Sequence, residues 1–139
     1  MDRDSRVYTV VLGLNLCDHS SMRPTALIVD DHAAFRASAK TLLQDEGFQV
    51  VGEAEDGRSG LELARALDPD LVLLDVALPD LSGLDVAERL AGGHSKVVLV
   101  SSRRPGDFGV RFREAPVLGF ISKDNLSAET LEQVLGGSA

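Results

Sequence analysis

The sequence has little cysteine, few aromatic residues and a deficit of basic residues. Its 139 residues include one cysteine, Cys17, and no tryptophan, and Lys and Arg number 14 against 22 Asp and Glu. A single cysteine excludes an intramolecular disulfide and a zinc site built from cysteines, and it suits a reducing cytoplasm. The net charge of −8 disfavours nucleic-acid binding, which depends on clustered Lys and Arg. We therefore expect a cytoplasmic protein that does not bind DNA or RNA directly.

The sequence also lacks a hydrophobic run long enough to cross a membrane. The segment 7–16 is apolar and β-prone, but a span needs roughly 18 or more apolar residues. It does not resemble a secretory signal either, because Asp2 and Asp4 offset the basic residues near the start and no small-residue cleavage site follows. We expect residues 1–21 to be a disordered extension rather than an added edge strand, and residues 22–139 to form one domain without membrane contact.

After residue 22, short apolar runs alternate with amphipathic stretches in five pairs, which is typical of parallel strands joined by crossover helices. The predicted strands are Ala26–Val29, Gln49–Glu53, Leu71–Asp75, Val97–Ser101 and Leu118–Ile121. The predicted helices are Ala34–Glu46, Arg58–Leu67, Gly83–Leu90, Pro105–Glu114 and Ser127–Leu135. Two glycines weaken the fourth helix, which we expect to be short or mobile. The pattern predicts a doubly wound α/β fold whose ligands bind at the carboxyl ends of the strands.

Five polar residues lie at or just beyond the ends of predicted strands and should therefore meet at one edge of the sheet. They are Asp30, Asp31, Asp75, Ser101 and Lys123. Two carboxylates about 4 Å apart repel each other by about 4 kcal/mol at an effective dielectric constant of 20, so the acidic group needs a cation. Oxygen ligands with room for water suit Mg²⁺, with Mn²⁺ as a substitute.

A metal beside a carboxylate, a hydroxyl and an ammonium is what phosphoryl transfer onto an aspartate requires. In this interpretation Asp75 is the nucleophile, and Lys123 and Ser101 each bind a phosphoryl oxygen. The metal ligands are Asp31, Asp75 and the backbone carbonyl of Ala77, with Asp30 anchoring the ion through water.

From residue 22 to about residue 135 the chain resembles a response regulator receiver domain. The matching motifs are Asp30-Asp31-His32, the segment 75–83 (DVALPDLSG), Ser101-Ser102 and the segment 119–123 (GFISK). Their spacing agrees with the family: 44 residues separate Asp31 from Asp75, 26 more lead to Ser101, and 22 more to Lys123. Each motif alone is weak, whereas their order and spacing together are specific.

The resemblance implies a flavodoxin-like (βα)5 fold with strand order 2-1-3-4-5. The site residues that it implies are the phospho-acceptor Asp75, the pocket acids Asp30 and Asp31, the switch residues Ser101 and Phe120, and the pocket lysine Lys123. It also implies a signalling domain rather than an enzyme, with slow self-dephosphorylation. The implied partners are a sensor histidine kinase or phosphotransfer protein and a downstream protein, and a homodimer through the fourth helix, fifth strand and fifth helix is possible.

Some features depart from the family pattern or leave alternatives open. Ser102 stands where the family usually has Ala, and Phe120 replaces the commoner Tyr. An aspartyl-nucleophile phosphatase is disfavoured because such enzymes commonly need an acid two residues after the nucleophile, where this chain has Ala77. A receiver-fold interaction module that is never phosphorylated is the stronger alternative. We interpret His32 as a helix-start residue rather than a catalytic base.

Two further regions bear on partners. The basic stretch of Arg103, Arg104, Arg111 and Arg113 is either a solvated helix face or a docking surface for an acidic partner. The Asp-Asp-His opening resembles receivers that carry a helix-turn-helix output domain, but no such domain follows before residue 139. We therefore expect a receiver that acts through partners, with the front part of a longer regulator as the alternative.

Overall fold

The computed structural model describes residues 23–103 and 109–136, and in these ranges it contains five parallel strands in one sheet. The strands are β1 (Thr25–Val29), β2 (Gln49–Ala54), β3 (Leu71–Asp75), β4 (Lys96–Ser101) and β5 (Gly119–Ser122). Their spatial order is β2-β1-β3-β4-β5, which confirms the predicted flavodoxin-like topology. The predicted extension at 1–21 lies outside the described residues and stays a prediction.

The helices connect consecutive strands and cover both faces of the sheet. They are α1 (Ala33–Asp45), α2 (Gly57–Leu67), α3 (Gly83–Leu90), α4 (Gly109–Arg113) and α5 (Ala128–Leu135). A 3-10 turn, Lys123–Asn125, follows β5. Most predicted boundaries agree to within one or two residues. Helix α5 begins one residue after the predicted Ser127, because the Ser127 side chain accepts a hydrogen bond from the Thr130 N–H and caps the helix.

The fourth helix differs most from its prediction. The sequence indicated a helix over Pro105–Glu114, whereas α4 covers only five residues and begins at Gly109 with a φ of 74°. Residues 105–108 of the predicted helix lie outside the described residues. The described part is short, as expected from glycine's low helix propensity.

Two apolar layers hold the helices against the sheet. One layer joins Ile28 and Leu73 of the sheet to Leu43 of α1 and Leu131 of α5. The next residues along the same strands, including Leu27 and Leu74, point to the opposite face and meet α2 and α3. Every residue of β3 is buried, which agrees with its prediction as a central strand. Burial of each such leucine contributes roughly 1.5–3 kcal/mol to the free energy of folding. The central strands therefore form a well-packed support for the residues at their carboxyl ends.

No helix among the described residues combines the length and the apolar character that crossing a membrane requires.

Gly47, two residues after the end of α1, adopts a φ of 100°. This conformation, which glycine adopts without a steric penalty, lets the chain turn from α1 into β2.

Candidate functional site

Three acidic side chains meet at the carboxyl ends of β1 and β3. Asp75 is the last residue of β3, and Asp30 and Asp31 follow β1 directly. Asp30 is fully buried and Asp75 is only 2% exposed, whereas Asp31 is exposed. One side-chain ligand atom from each of these three residues and from His32 lies within 4.8 Å of the others. The structure therefore brings the predicted acidic cluster together, with an imidazole beside it.

Lys123 reaches this cluster from the end of β5. Its Nζ atom lies 2.6 Å from Asp30 Oδ2, 3.3 Å from Asp75 Oδ2 and 4.6 Å from the centroid of the Phe35 ring. An ammonium over an aromatic face is attracted by the ring quadrupole, and the attraction grows when the pair is shielded from water. Phe35 and the two carboxylates thus hold the lysine in the pocket.

The charge of Asp75 depends on opposing influences. Burial raises the pKa of its carboxyl group, and the neighbouring charge of Asp30 raises it further. A hydrogen bond from the Ala77 N–H to Asp75 Oδ1, 3.1 Å long, and the Lys123 ammonium both act to lower this pKa. The ionised form of Asp75 is therefore penalised in the protein alone, and added positive charge would favour it.

The donor set fits a hard divalent cation. When the three carboxyl groups are ionised, Lys123 neutralises one charge and two negative charges stay uncompensated. Asp30 Oδ2 is buried and close to Lys123 Nζ, yet it has no partner of good hydrogen-bond geometry among the described residues. Carboxylate oxygens that can still accept a metal bond are the ligands that Mg²⁺ prefers.

The predicted switch residues lie on the neighbouring strands. Ser101 ends β4 and is buried, and its hydroxyl oxygen accepts a 2.9 Å hydrogen bond from the Arg103 N–H. Phe120 lies on β5, partly buried, and its ring packs edge to face on Phe112 of α4 with centroids 5.1 Å apart. Ser102 is exposed. Both predicted switch side chains are therefore tied to the segment that follows β4.

The loop after β3 is shaped by tight contacts. Ala77, the predicted carbonyl ligand, forms an isolated antiparallel bridge with Ser82, whose side chain accepts a hydrogen bond from the Leu84 N–H and caps α3. A Cβ atom on Gly83 would stand 2.2 Å from the carbonyl oxygen of Asp75. Only glycine lets α3 begin so close to the backbone of Asp75.

Sequence reasoning did not identify some contacts of the site. The Phe35 ring packs against the core and also contacts Lys123. Arg36 Nη1 donates a 2.6 Å hydrogen bond to the Asp30 carbonyl, while its Nε pairs with Glu53. The signal for Arg36 was its position in the first turn of the helix that follows the acidic pair. No motif indicated Phe35.

The basic stretch is only partly available as a docking surface. Arg111 forms ion pairs with Asp85 and Glu88 of α3, and these contacts hold α4 against α3. Arg113 is exposed and forms no ion pair within the described residues, whereas Arg104 lies outside them. Arg111 is therefore an exposed residue of the helix face that is also paired with α3.

Comparison with known proteins identifies relatives of one kind. Residues 26–135 match the family model described as "Response regulator receiver domain". The response regulator GacA of Pseudomonas viridiflava is 37% identical over 111 residues, which are 78% of this chain and 52% of that protein. The transcription regulator BvgA of Bordetella pertussis is 36% identical over 114 residues, which are 81% of this chain and 53% of that protein.

The fold is also similar to solved structures. A CheY-like response regulator receiver domain from Methylobacillus flagellatus is 30% identical with a TM-score of 0.73, covering 85% of this chain and all of that one. The chain spans about half the length of the curated relatives it matches, so its expected action without an attached output domain stays a prediction. The family model matches most of the chain, and the strand order and the acidic cluster agree with it. The chain therefore belongs to the response regulator receiver domain family of two-component systems.

Proposed function

We propose that this receiver domain accepts a phosphoryl group on Asp75 from a phosphohistidine of a sensor histidine kinase or a phosphotransfer protein. The observation that carries the proposal is the environment of Asp75. Its buried carboxylate ends the central strand, beside two further acids and 3.3 Å from the Lys123 ammonium. In this arrangement a nucleophile, a cation-binding pocket and a positive charge for the phosphoryl oxygens stand together.

In the proposed step, a carboxylate oxygen of Asp75 forms a bond to phosphorus as the phosphorus–nitrogen bond of the donor breaks. The bonding electron pair returns to the donor imidazole, and the product on this chain is an aspartyl phosphate. The influences that raise the pKa of Asp75 oppose the reactive anion. Lys123 and a bound cation therefore favour both the nucleophile and the charge that the phosphoryl group brings.

The metal in this proposal is Mg²⁺, with Mn²⁺ as a substitute. Asp31, Asp75 and the backbone carbonyl of Ala77 would hold the ion, and Asp30 would anchor it through a water molecule. Bound there, the cation supplies charge neutralisation for the transferring phosphoryl group. Asp31 is exposed, so the side of the pocket that it forms is open to an incoming donor.

The product would alter the contacts of the switch residues. A phosphoryl group adds roughly −1.5 to −2 charges and three acceptor oxygens. Ser101 would turn its hydroxyl from the Arg103 N–H towards a phosphoryl oxygen, and Lys123 would bind another. Phe120 would then leave its edge-to-face contact with Phe112, which changes the surface formed by α4, β5 and α5. We propose that this surface binds the downstream protein or a second copy of the chain.

The proposal includes no multiple-turnover enzyme activity. We infer that the phosphoryl group is lost slowly by hydrolysis at Asp75, in a protein that acts in the cytoplasm without binding nucleic acid directly through this domain. The exposed Ser102 follows the switch residue Ser101, where its side chain can crowd the access of the phosphoryl group.

The direct test is intact mass spectrometry of the full chain after incubation with acetyl phosphate and Mg²⁺. We expect the wild type to gain one phosphoryl group, with acetate as the leaving group, and the gain to be absent from Asp75→Asn and without Mg²⁺. Asp124→Asn is the matched control, because Asp124 is an exposed acid next to Lys123 that lies outside the acidic cluster.

A folded wild type that gains no phosphoryl mass would contradict the proposal and favour a phosphorylation-independent interaction module. Steady turnover of a phosphomonoester, abolished by Asp75→Ala, would instead support an aspartyl-nucleophile phosphatase. Circular dichroism of each variant shows whether a loss of labelling reflects the acceptor or the fold.

A further inference from the structure

His32 lies between the acidic pair and α1, where the predicted role was that of a helix-start residue. Its backbone agrees with this role, since His32 is the N-cap residue of α1 in an extended conformation. Its ring, however, makes no capping hydrogen bond to the first turn. The imidazole is therefore not used for the purpose that N-cap side chains usually serve.

The ring faces the acidic cluster instead. Nδ1 lies 3.2 Å from Asp31 Oδ1 and 3.3 Å from Asp30 Oδ1, and Lys123 Nζ is 3.4 Å away. The orientation is supported by the backbone, because the His32 N–H donates a 2.8 Å hydrogen bond to the same Asp30 oxygen. One nitrogen thus stands among the oxygens that would surround a cation.

A nitrogen in this position changes the preference of the site. Mg²⁺ prefers oxygen ligands and keeps its water, whereas transition metals bind sites of mixed nitrogen and oxygen donors, with an affinity that rises from Mn²⁺ towards Cu²⁺. The ligand atoms of His32, Asp30, Asp31 and Asp75 all lie within 4.8 Å of one another. The ring can therefore contribute to the same ion as the carboxylates.

We propose that His32 binds the divalent cation of this pocket directly through a ring nitrogen, so that the pocket, which takes Mg²⁺ in the proposed reaction, binds Mn²⁺ and related transition ions more tightly. The inference rests on the metal-binding part of the proposed function. The competing explanation is that the ring only offsets the charge of Asp30 and Asp31. In that case its removal would change the affinity for Mg²⁺ and Mn²⁺ by the same factor.

The test is pulsed electron paramagnetic resonance of the full chain loaded with Mn²⁺, which detects a nitrogen nucleus bonded to the ion. We expect nitrogen modulation in the wild type and none in His32→Asn, whose side chain offers an oxygen and keeps a favourable N-cap. His94→Asn is the matched control and keeps the signal. His94 precedes β4 at the opposite edge of the sheet, where its Nε2 lies 2.6 Å from Asp70 Oδ1.

Titration calorimetry with each metal alone supplies a second readout. His32→Asn should weaken Mn²⁺ binding by at least about tenfold, as for groups that tune a metal site, while Mg²⁺ binding changes by less than about twofold. An equal change for both ions, or a Mn²⁺ site without nitrogen modulation in the wild type, overturns the inference. Failure of the wild type to bind Mn²⁺ overturns it too.

Failure of this inference is distinguishable from failure of the proposed function. Phosphorylation of Asp75 with Mg²⁺ in a protein whose Mn²⁺ signal lacks nitrogen would refute only the role of His32. Nitrogen modulation in a protein that never gains a phosphoryl group would refute only the phospho-acceptor role.

Discussion

At the scale of single residues, the charge of Asp75 is set by neighbours that are distant in sequence. The carboxyl group is buried at the end of β3, and both burial and Asp30 raise its pKa. For a carboxyl group a raised native pKa means that ionisation destabilises the fold, and this penalty appears as the pH rises above the ordinary value. Asp75 therefore carries a stability penalty that a cation would relieve.

Asp30→Asn should lower the pKa of Asp75 in the metal-free protein, because the substitution removes a negative charge that raises it. The pKa can be followed by NMR of the carboxyl carbon as the pH is varied. Asp31→Asn is the matched control and should lower the pKa less, since Asp31 is exposed and is not among the groups that shift it. An unchanged or higher pKa in Asp30→Asn would contradict this account of the site.

At the scale of elements, the start of α3 is fitted against the end of β3. The distance of 2.2 Å between a Cβ on Gly83 and the Asp75 carbonyl oxygen leaves no room for a side chain. Because the close atom belongs to the backbone, relief of this clash requires α3 or β3 to move. The position of α3 and the position of Asp75 are thus coupled.

We expect Gly83→Ala to lower the free energy of unfolding by about 3 kcal/mol, the upper part of the usual range for overpacking. Urea denaturation measures the change. Gly93→Ala is the control, because its nearest heavy atom is 3.3 Å from the added carbon and its φ is not in the left-handed region. A loss in Gly83→Ala no larger than that of the control would show that the helix adjusts freely.

Sequence patterns predicted some strands and helices better than others. The nearly continuous apolar runs predicted β3 and β4 well, since strands buried on both faces need apolar residues at every position. Helix α4 was poorly predicted, because it has little apolar periodicity and contains glycine. Its described position depends on side chains of α3, which a local pattern does not contain.

At the scale of the whole molecule, Arg111 links the segment after β4 to the segment after β3. It contacts Asp85 and Glu88, and its guanidinium group lowers the pKa of the Asp85 carboxyl. A carboxyl group with a lowered native pKa stabilises the fold above its ordinary pKa, and this stabilisation is lost as the pH falls through the lowered value. The contact between α3 and α4 should therefore be intact at neutral pH.

Arg111→Ala should increase hydrogen exchange of the α4 amides at neutral pH while leaving those of β3 and β4 unchanged, because exposed ion pairs contribute little to global stability. Hydrogen exchange with mass spectrometry resolves the two regions. Arg113→Ala is the matched control, since Arg113 is on the same helix without an ion pair among the described residues. Equal exchange of α4 in the two variants would count against the proposed link.

The sequence by itself determined the class of fold and the strand ends that carry polar residues, because strand and helix periodicities are local and parallel strands share one carboxyl edge. The resemblance to receiver domains supplied the strand order and added Phe120 to the site residues. Only the tertiary structure decided that Asp30 and Asp75 are buried while Asp31 is exposed, and that Phe35 and His32 stand beside Lys123.

The physical reason is that these contacts join residues far apart in the chain. Lys123 and Asp75 are 48 positions apart, and Lys123 and His32 are 91 apart. Whether such side chains touch depends on how the helices pack on the sheet and on the direction of each rotamer. The reactivity proposed for Asp75, like the metal preference inferred from His32, is therefore a property of the folded pocket.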